Sequence, residues 1–143
     1  MFRVSETFRL SDDFVASFRG KQPKWGPLGY ITFKRTYARV VSDDSNRTEE
    51  YWETVRRVVE GCYTIQMNHC RSLKLPWNNA KAQRSAQEMF RLMWAFKFLP
   101  PGRGLWMMGT DYIWERGSAA LNNCAFVSTD EIEVSFAEPF CFL

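Results

Sequence analysis

Two stretches of this sequence carry apolar residues at helical spacing, and a proline break separates them. Trp52, Val55, Val59 and Cys62 form the first stripe, and Ala82, Ala86, Met89, Phe90, Met93 and Trp94 form the second. Residues three and four apart lie on one face of a helix, so each stripe must be covered by other parts of the fold. Thr48 is in place to cap the first helix, with Glu49, Glu50 and Glu53 near its positive end. The pattern runs to about residue 69 and tolerates Gly61 inside at a cost of roughly 1 kcal/mol relative to alanine. Pro76 breaks the chain, and Asn78 or Asn79 can cap the second helix. Pro100-Pro101 is expected to end it, because neither proline donates to a helical ladder.

The rest of the chain is less regular. Ser11, followed by Asp12 and Asp13, predicts a short helix over 11–19, with Phe14, Val15 and Phe18 on its apolar side and Gly20 as a stop. Residues 30–33 (Tyr-Ile-Thr-Phe) have strand-like character, yet 33–41 fits a helical turn or two equally well, and period does not decide between them. Residues 42–47 read as a polar loop, and Gly102, Gly104 and Gly109 loosen the chain beyond the prolines. Residues 122–128 (Asn-Asn-Cys-Ala-Phe-Val-Ser) look like a loop entering a buried strand, and 131–135 starts another element. The final residues, 139–143, are apolar, as expected of a chain cut inside a domain.

Composition narrows the classes. The chain has 143 residues, 45% of them hydrophobic and 16% aromatic, which excludes wholesale disorder. No apolar run approaches the roughly 20 residues of a membrane helix. Charges at Arg3 and Glu6 interrupt the place where an export signal needs an apolar stretch. Four cysteines (Cys62, Cys70, Cys124 and Cys141) without a Cys-x-x-Cys pair fit reduced thiols in a cytosolic compartment. A single histidine, His69, excludes a multi-histidine metal site built from this chain alone. The net charge of +3 permits nucleotide or nucleic-acid binding without arguing for it.

Four constellations are candidates for chemistry. Cys124 sits at a loop-to-strand junction, where a thiol can face a cleft and exchange with a second thiol; a buried structural cysteine is the competing reading. Arg103, within Pro100-Pro101-Gly102-Arg103-Gly104, can pair with a phosphate, although the segment lacks the ending of a Walker loop. Its plainer reading is a helix-to-strand connection. Residues 21–39 interleave Lys21, Lys24, Lys34, Arg35 and Arg39 with Trp25, Tyr30, Phe33 and Tyr37, a pattern able to stack on single-stranded bases. The acidic residues from Asp43 to Glu53 answer that charge, so core aromatics with a solvated face is the competing reading. Cys62, His69 and Cys70 lack a paired motif for zinc and read as ordinary helix residues.

Taken in order, three blocks resemble a known family. The string Lys24-Trp25-Gly26-Pro27-Leu28-Gly29-Tyr30-Ile31-Thr32-Phe33-Lys34-Arg35-Thr36-Tyr37-Ala38-Arg39 is similar to the N-terminal signature of adenosylcobalamin-dependent ribonucleoside-triphosphate reductases, the monomeric class II ribonucleotide reductases. The run from Trp52 to Gly61 resembles the next block. Pro101-Gly102-Arg103-Gly104-Leu105-Trp106, Gly109-Thr110-Asp111-Tyr112 and Leu121-Asn122-Asn123-Cys124 resemble the third.

The resemblance implies an α+β fragment. A helical N-terminal region, residues 1–98, would lead into the first strand or strands of a ten-stranded α/β barrel that begins within 99–143. It implies reduction of a ribonucleoside triphosphate at the 2′ carbon, after a thiyl radical generated from adenosylcobalamin abstracts the 3′ hydrogen. A cysteine pair then supplies two electrons, and thioredoxin or a similar dithiol restores it. By position Cys124 matches the first member of that pair, with the backbone of Asn123 against the ribose hydroxyls. The radical cysteine, the second redox cysteine, the cobalamin-binding region and the relay cysteines of the family have no counterpart here. Where some relatives carry a phosphate-holding threonine, this chain has an apolar residue near Leu99. The implied chain is one part of a cytoplasmic reductase, inactive alone and completed by the remainder of the enzyme. The alternative is a small single-stranded nucleic-acid-binding module using residues 21–39.

Overall fold

A computed structural model describes residues 6–42, 47–122, 124 and 127–142. The elements in chain order are α1 (Asp12–Ala16), α2 (Pro27–Thr36), β1 (Val40–Ser42), β2 (Arg47–Thr48), α3 (Tyr51–Ser72), α4 (Asn79–Trp94), α5 (Gly102–Met107), α6 (Asp111–Arg116), a 3₁₀ turn (Ser118–Leu121) and α7 (Ile132–Phe142). The architecture is mostly helical. β1 and β2 form a two-stranded antiparallel ribbon, with Val40 opposite Thr48 and an irregularity before Ser42 pairs with Arg47.

The two long helices, α3 and α4, form the centre. They run antiparallel: the Tyr51 hydroxyl at the start of α3 donates to the Met93 carbonyl at the end of α4 (2.9 Å), while Tyr63 meets Ser85 farther along. Val55, Val58 and Val59 of α3 face Ala86, Phe90 and Met93 of α4, all essentially excluded from solvent. Small Ala82 and Ala86 beside large Phe90 and Met93 let the two surfaces interdigitate. Phe14 and Phe18, flanking Val15 of α1, pack their rings on Phe90 at 5.3 and 4.7 Å. A second aromatic group closes the other end: Trp25 lies 4.9 Å from Tyr51 and 5.3 Å from Phe33. Burial pushes the Tyr51 phenol well above its ordinary range.

The expected stripe on α3 is wider than its sequence pattern. Val55 and Val59 are buried, Trp52 and Cys62 only half so, and Thr54, Glu60, Thr64 and Asn68 are buried as well. Thr54 turns to the Glu49 carboxylate; for Glu60, Thr64 and Asn68 the reason is residues 6–11, an extended segment lying across α3 and α4. An extended chain without a partner strand must still satisfy its backbone groups. Phe8 N–H donates to Thr64 Oγ1 (3.0 Å) and Leu10 N–H to Glu60 Oε1 (3.0 Å), while Asn68 donates to the Glu6 carbonyl (2.8 Å). Gln83 of α4 both accepts from Ser11 N–H and donates to the Arg9 carbonyl.

Several boundaries differ from the expectations. Residues 27–36 are helical: Pro27 stands at the first turn, where its missing N–H is not needed. Thr48 lies in β2, and the cap of α3 is Glu50, whose side chain and that of Glu53 exchange bonds with each other's backbone as a capping box. Asn78 caps α4 through Lys81 N–H as read, whereas Ser11 begins α1 without a side-chain cap bond.

Both long helices end in the same device. Leu75 N–H bonds the Cys70 carbonyl and Lys74 N–H the Arg71 carbonyl; Lys97 and Phe96 repeat this on Leu92 and Met93. These are Schellman motifs, with Lys74 and Phe96 in the left-handed conformation (φ 56° for both) that glycine usually supplies. Hence α4 stops at Trp94, ahead of Pro100-Pro101. The prolines open α5, which contains Gly102 and Gly104 in place of the loose chain expected there.

No barrel strand occurs among the described residues. The run 122–128 was expected to enter one; Asn122, Cys124, Val127 and Ser128 are non-strand, and Asn123, Ala125 and Phe126 lie outside the described residues. The element expected at 131–135 is the start of α7, whose Ile132, Val134 and Phe136 are exposed.

Candidate functional site

A buried ion pair lies at the start of α3. Arg57 and Glu49 form a two-pronged ion pair, Nε to Oε1 at 2.7 Å and Nη2 to Oε2 at 2.9 Å, with both side chains about a tenth exposed. Thr54 Oγ1 donates to the same carboxylate (2.7 Å), and so does Arg39 N–H (3.2 Å). A buried pair is tolerable only when the remaining hydrogen-bonding capacity is filled. Arg57 fills its own by donating from Nη1 to the Met108 carbonyl (2.5 Å) and from Nη2 to the Leu105 carbonyl (3.1 Å). Those carbonyls lie at the C-terminal end of α5, so the pair holds α5 against α3.

Glycines make the approach this close. A Cβ on Gly61 would lie 2.8 Å from the Gly109 backbone, and one on Gly109 (φ 77°) would run into the Arg57 carbonyl oxygen. Gly61 is therefore a packing requirement, beyond the tolerated interruption its sequence context suggests.

From α5 the chain reaches Cys124. Gly117 (φ 85°) turns it out of α6 into the 3₁₀ turn, which packs on both α5 and α6. Arg103, in the first turn of α5, donates from Nη1 to the Asn122 carbonyl (2.5 Å). Cys124 follows two residues later, exposed and unpaired in a disulfide. Beyond it, the nearly buried Ser135 of α7 places Oγ 2.5 Å from the Ser128 carbonyl. The cysteine is thus at the surface of this chain, in a segment bracketed by α5 and α7. An exposed thiol can be reached by a second thiol, which is the geometric condition for exchange. Asn123 lies outside the described residues.

The other candidates separate from this site. Trp25 and Phe33 are in the aromatic core, and Lys34 is paired with Glu50 (2.8 Å) while also donating to the Glu49 carbonyl. The stretch 21–39 therefore gives most of its stacking surface to the interior, with Tyr30 turned edge-on to Trp25. Cys62 is half-buried, and burial raises its thiol above the ordinary cysteine value. His69 is exposed, and no cluster of three metal-ligating side chains occurs among the described residues. A groove of about 470 Å³ between residues 7–9, α3 and α6 is lined by Arg9, Arg56, Glu60 and Trp114, with Cys124 not among its walls. Its cations are already answered: Glu60 accepts from Arg9 (2.9 Å) and Arg56 (2.8 Å). Burial would lower the Arg56 pKa, but the hydrogen bond and charge of Glu60 outweigh it and raise it. No helix among the described residues is long and apolar enough to cross a membrane.

Sequence reading missed the Glu49–Arg57 clamp and the two bonds bracketing Cys124. Glu49 precedes its helix, so no helical spacing links it to Arg57. The partners of Arg103 and Ser135 are backbone carbonyls, which leave no side-chain signature.

Comparison with known proteins gives a consistent answer. The sequence model of the ribonucleotide reductase alpha domain matches residues 10–110, from the approach to α1 to the start of α6. A probable adenosylcobalamin-dependent ribonucleoside-triphosphate reductase of Dictyostelium discoideum is 45% identical over 139 residues, 95% of this chain and 18% of that protein. The adenosylcobalamin-dependent ribonucleoside-triphosphate reductase of Euglena gracilis is 42% identical over 97% of this chain and 19% of its own length. Alignments this complete include position 124. Among solved structures, a B12-dependent class II ribonucleotide reductase superposes with a TM-score of 0.69 at 36% identity, over 82% of this chain and 16% of that one. The chain thus spans about a fifth of the length of these relatives, and by its sequence, its helical core and its matched residues it belongs to the ribonucleotide reductase family, on the adenosylcobalamin-dependent side of it.

Proposed function

We propose that this chain is the N-terminal part of a class II ribonucleotide reductase, with residues 1–98 as its helical region and 99–143 opening a ten-stranded α/β barrel. Cys124 supplies one of the two redox-active thiols. The observation that carries the assignment is the exposed, unpaired Cys124 at the position where the resemblance places the first redox cysteine.

The chemistry asks little of one residue but asks it in one place. A ribonucleoside triphosphate loses its 2′ hydroxyl as water, taking one proton to do so, and the 2′ carbon gains hydrogen. Two thiols become one disulfide, so two electrons and two protons leave the sulfurs and balance the reduction. Cys124 provides one of those thiols, and Asn123 lies against the ribose hydroxyls. The partner thiol belongs to the remainder of the reductase. Thioredoxin or a similar dithiol then reduces the disulfide. When bound, adenosylcobalamin would supply the radical from which a cysteine thiyl forms, and that thiyl abstracts the 3′ hydrogen. As the resemblance implies, the remainder of the protein would bind the cofactor. In this reading the chain is inactive alone, and the assembled enzyme works in the cytoplasm.

The test is Cys124→Ser in the full-length reductase. Loss of multiple-turnover reduction with a dithiol is expected, because a hydroxyl cannot form the disulfide. Turnover that continues at the unsubstituted rate would remove Cys124 from the redox pair.

A further inference from the structure

We propose that Arg103 and Ser135 are positioning residues that pin the segment carrying Cys124 from both sides, an inference that rests on the redox role assigned above to Cys124. The segment is held at two backbone carbonyls, Asn122 before the cysteine and Ser128 after it. Each bond comes from a different helix. The Arg103 bond is charge-assisted, which makes it stronger than a neutral contact. The Ser135 hydroxyl lies between two carbonyls, Ser128 O at 2.5 Å and Glu131 O at 2.6 Å, so its one proton is shared between the loop and the first turn of its own helix.

The Arg103 anchor is itself fixed. α5 is held on α3 by the Arg57–Glu49 pair through the Leu105 and Met108 carbonyls. Arg103 therefore carries the rigidity of the helical core out to an exposed loop. A thiol that must meet both a ribose and a second sulfur needs such a support, because small displacements of reacting groups are costly in rate. The assignment also gives Arg103 a different task from the phosphate pairing its sequence context suggests. A carbonyl anchor needs an N–H donor and not a charge.

The experiment uses the full-length reductase with Arg103→Leu, Arg103→Gln, Ser135→Ala and Cys124→Ser. Steady-state reduction of a ribonucleoside triphosphate is measured together with hydrogen exchange of the peptide spanning residues 118–130. Arg103→Leu and Ser135→Ala are expected to speed exchange in that peptide, but not in α3 or α4. They should lower kcat about tenfold to a hundredfold while KM stays within about twofold. Arg103→Gln keeps a donor and loses the charge, so most of kcat should survive.

Unchanged exchange in the 118–130 peptide would overturn the pinning. So would an Arg103→Gln variant as slow as Arg103→Leu with a raised KM, which would put Arg103 on a phosphate. Faster exchange with full kcat in Arg103→Leu, beside an inactive Cys124→Ser, would overturn the positioning role. If Cys124→Ser itself keeps full turnover while Arg103→Leu loosens the peptide, the pinning stands and the redox assignment of Cys124 fails.

Discussion

Gly61→Ala is the substitution whose sign separates local preference from tertiary contact. Within a helix, alanine is favoured over glycine by about 1 kcal/mol, so propensity alone predicts a more stable protein. The structure predicts the reverse. The added Cβ would stand 2.8 Å from both Cα and N of Gly109 and 3.2 Å from Met108 Cγ. Ordinary carbon contacts are about 3.5–4.0 Å, so the turn between α5 and α6 would have to retreat by about 0.7 Å. The obstacle is backbone, which cannot swing aside as a side chain does. Retreat would also lengthen the bond from Arg57 to the Met108 carbonyl, now 2.5 Å. Overpacking of this kind costs roughly 1–3 kcal/mol and occasionally more. A weakened bond to a charged donor adds to that, with about 1.5–3 kcal/mol as its full worth. After the propensity gain, a net loss of about 2 kcal/mol is expected. The assay is urea denaturation of the two proteins with the transition midpoint and slope compared. Gly26→Ala serves as control, since no atom lies within 4 Å of a Cβ there and its φ is −84°. A Gly61→Ala midpoint at or above that of the unsubstituted protein would refute the close approach of α3 and the α5–α6 turn.

Three further outcomes follow from the same physics. Arg57→Ala removes the partner of a buried carboxylate and the donor to two carbonyls, so denaturation should show a loss of about 3–5 kcal/mol. Lys74→Gly relieves a left-handed residue at the end of α3 and should stabilise by about 1 kcal/mol, read as a higher denaturation midpoint. At Glu53, burial alone would raise the carboxyl pKa, but the Arg47 side chain and the Glu50 N–H outweigh it and hold it below the usual value. A depressed folded pKa gives stability that is present above the unfolded value and lost as pH falls through the folded one. The stability gap between the protein and Glu53→Gln should therefore be constant near neutrality and close below about pH 4.3; a gap that widens on acidification would contradict the assignment.

The sequence by itself determined the helical centre and the family. Val55 and Val59, with Ala82, Ala86, Phe90 and Met93, are apolar at helical spacing and are buried where that spacing puts them. The Asn78 cap was legible for a similar reason, since its side-chain Oδ1 accepts from Lys81 N–H, a contact only three residues long. The family blocks are strings of adjacent residues, which a chain displays whether or not it is folded. Tertiary structure decided what joins distant positions. Residues 27–36 became helix once Phe33 could pack beside Trp25 and Tyr51, a choice their own pattern left open. Helix ends were set at Lys74 and Phe96 by backbone bonds that no glycine announces. Phe96 accepts that conformation beside Trp25 and Tyr51, its ring 5.9 and 5.3 Å from theirs. Gly61 permits an approach to Gly109 and Gly109 one to Arg57, each joining segments about 50 positions apart, and neither shows its partner in the sequence. The setting of Cys124 belongs to this second class: its neighbours are fixed by a guanidinium and a hydroxyl acting on carbonyls, and every residue has a carbonyl. Such bonds depend on where the chain passes in space, and only the folded core determines that.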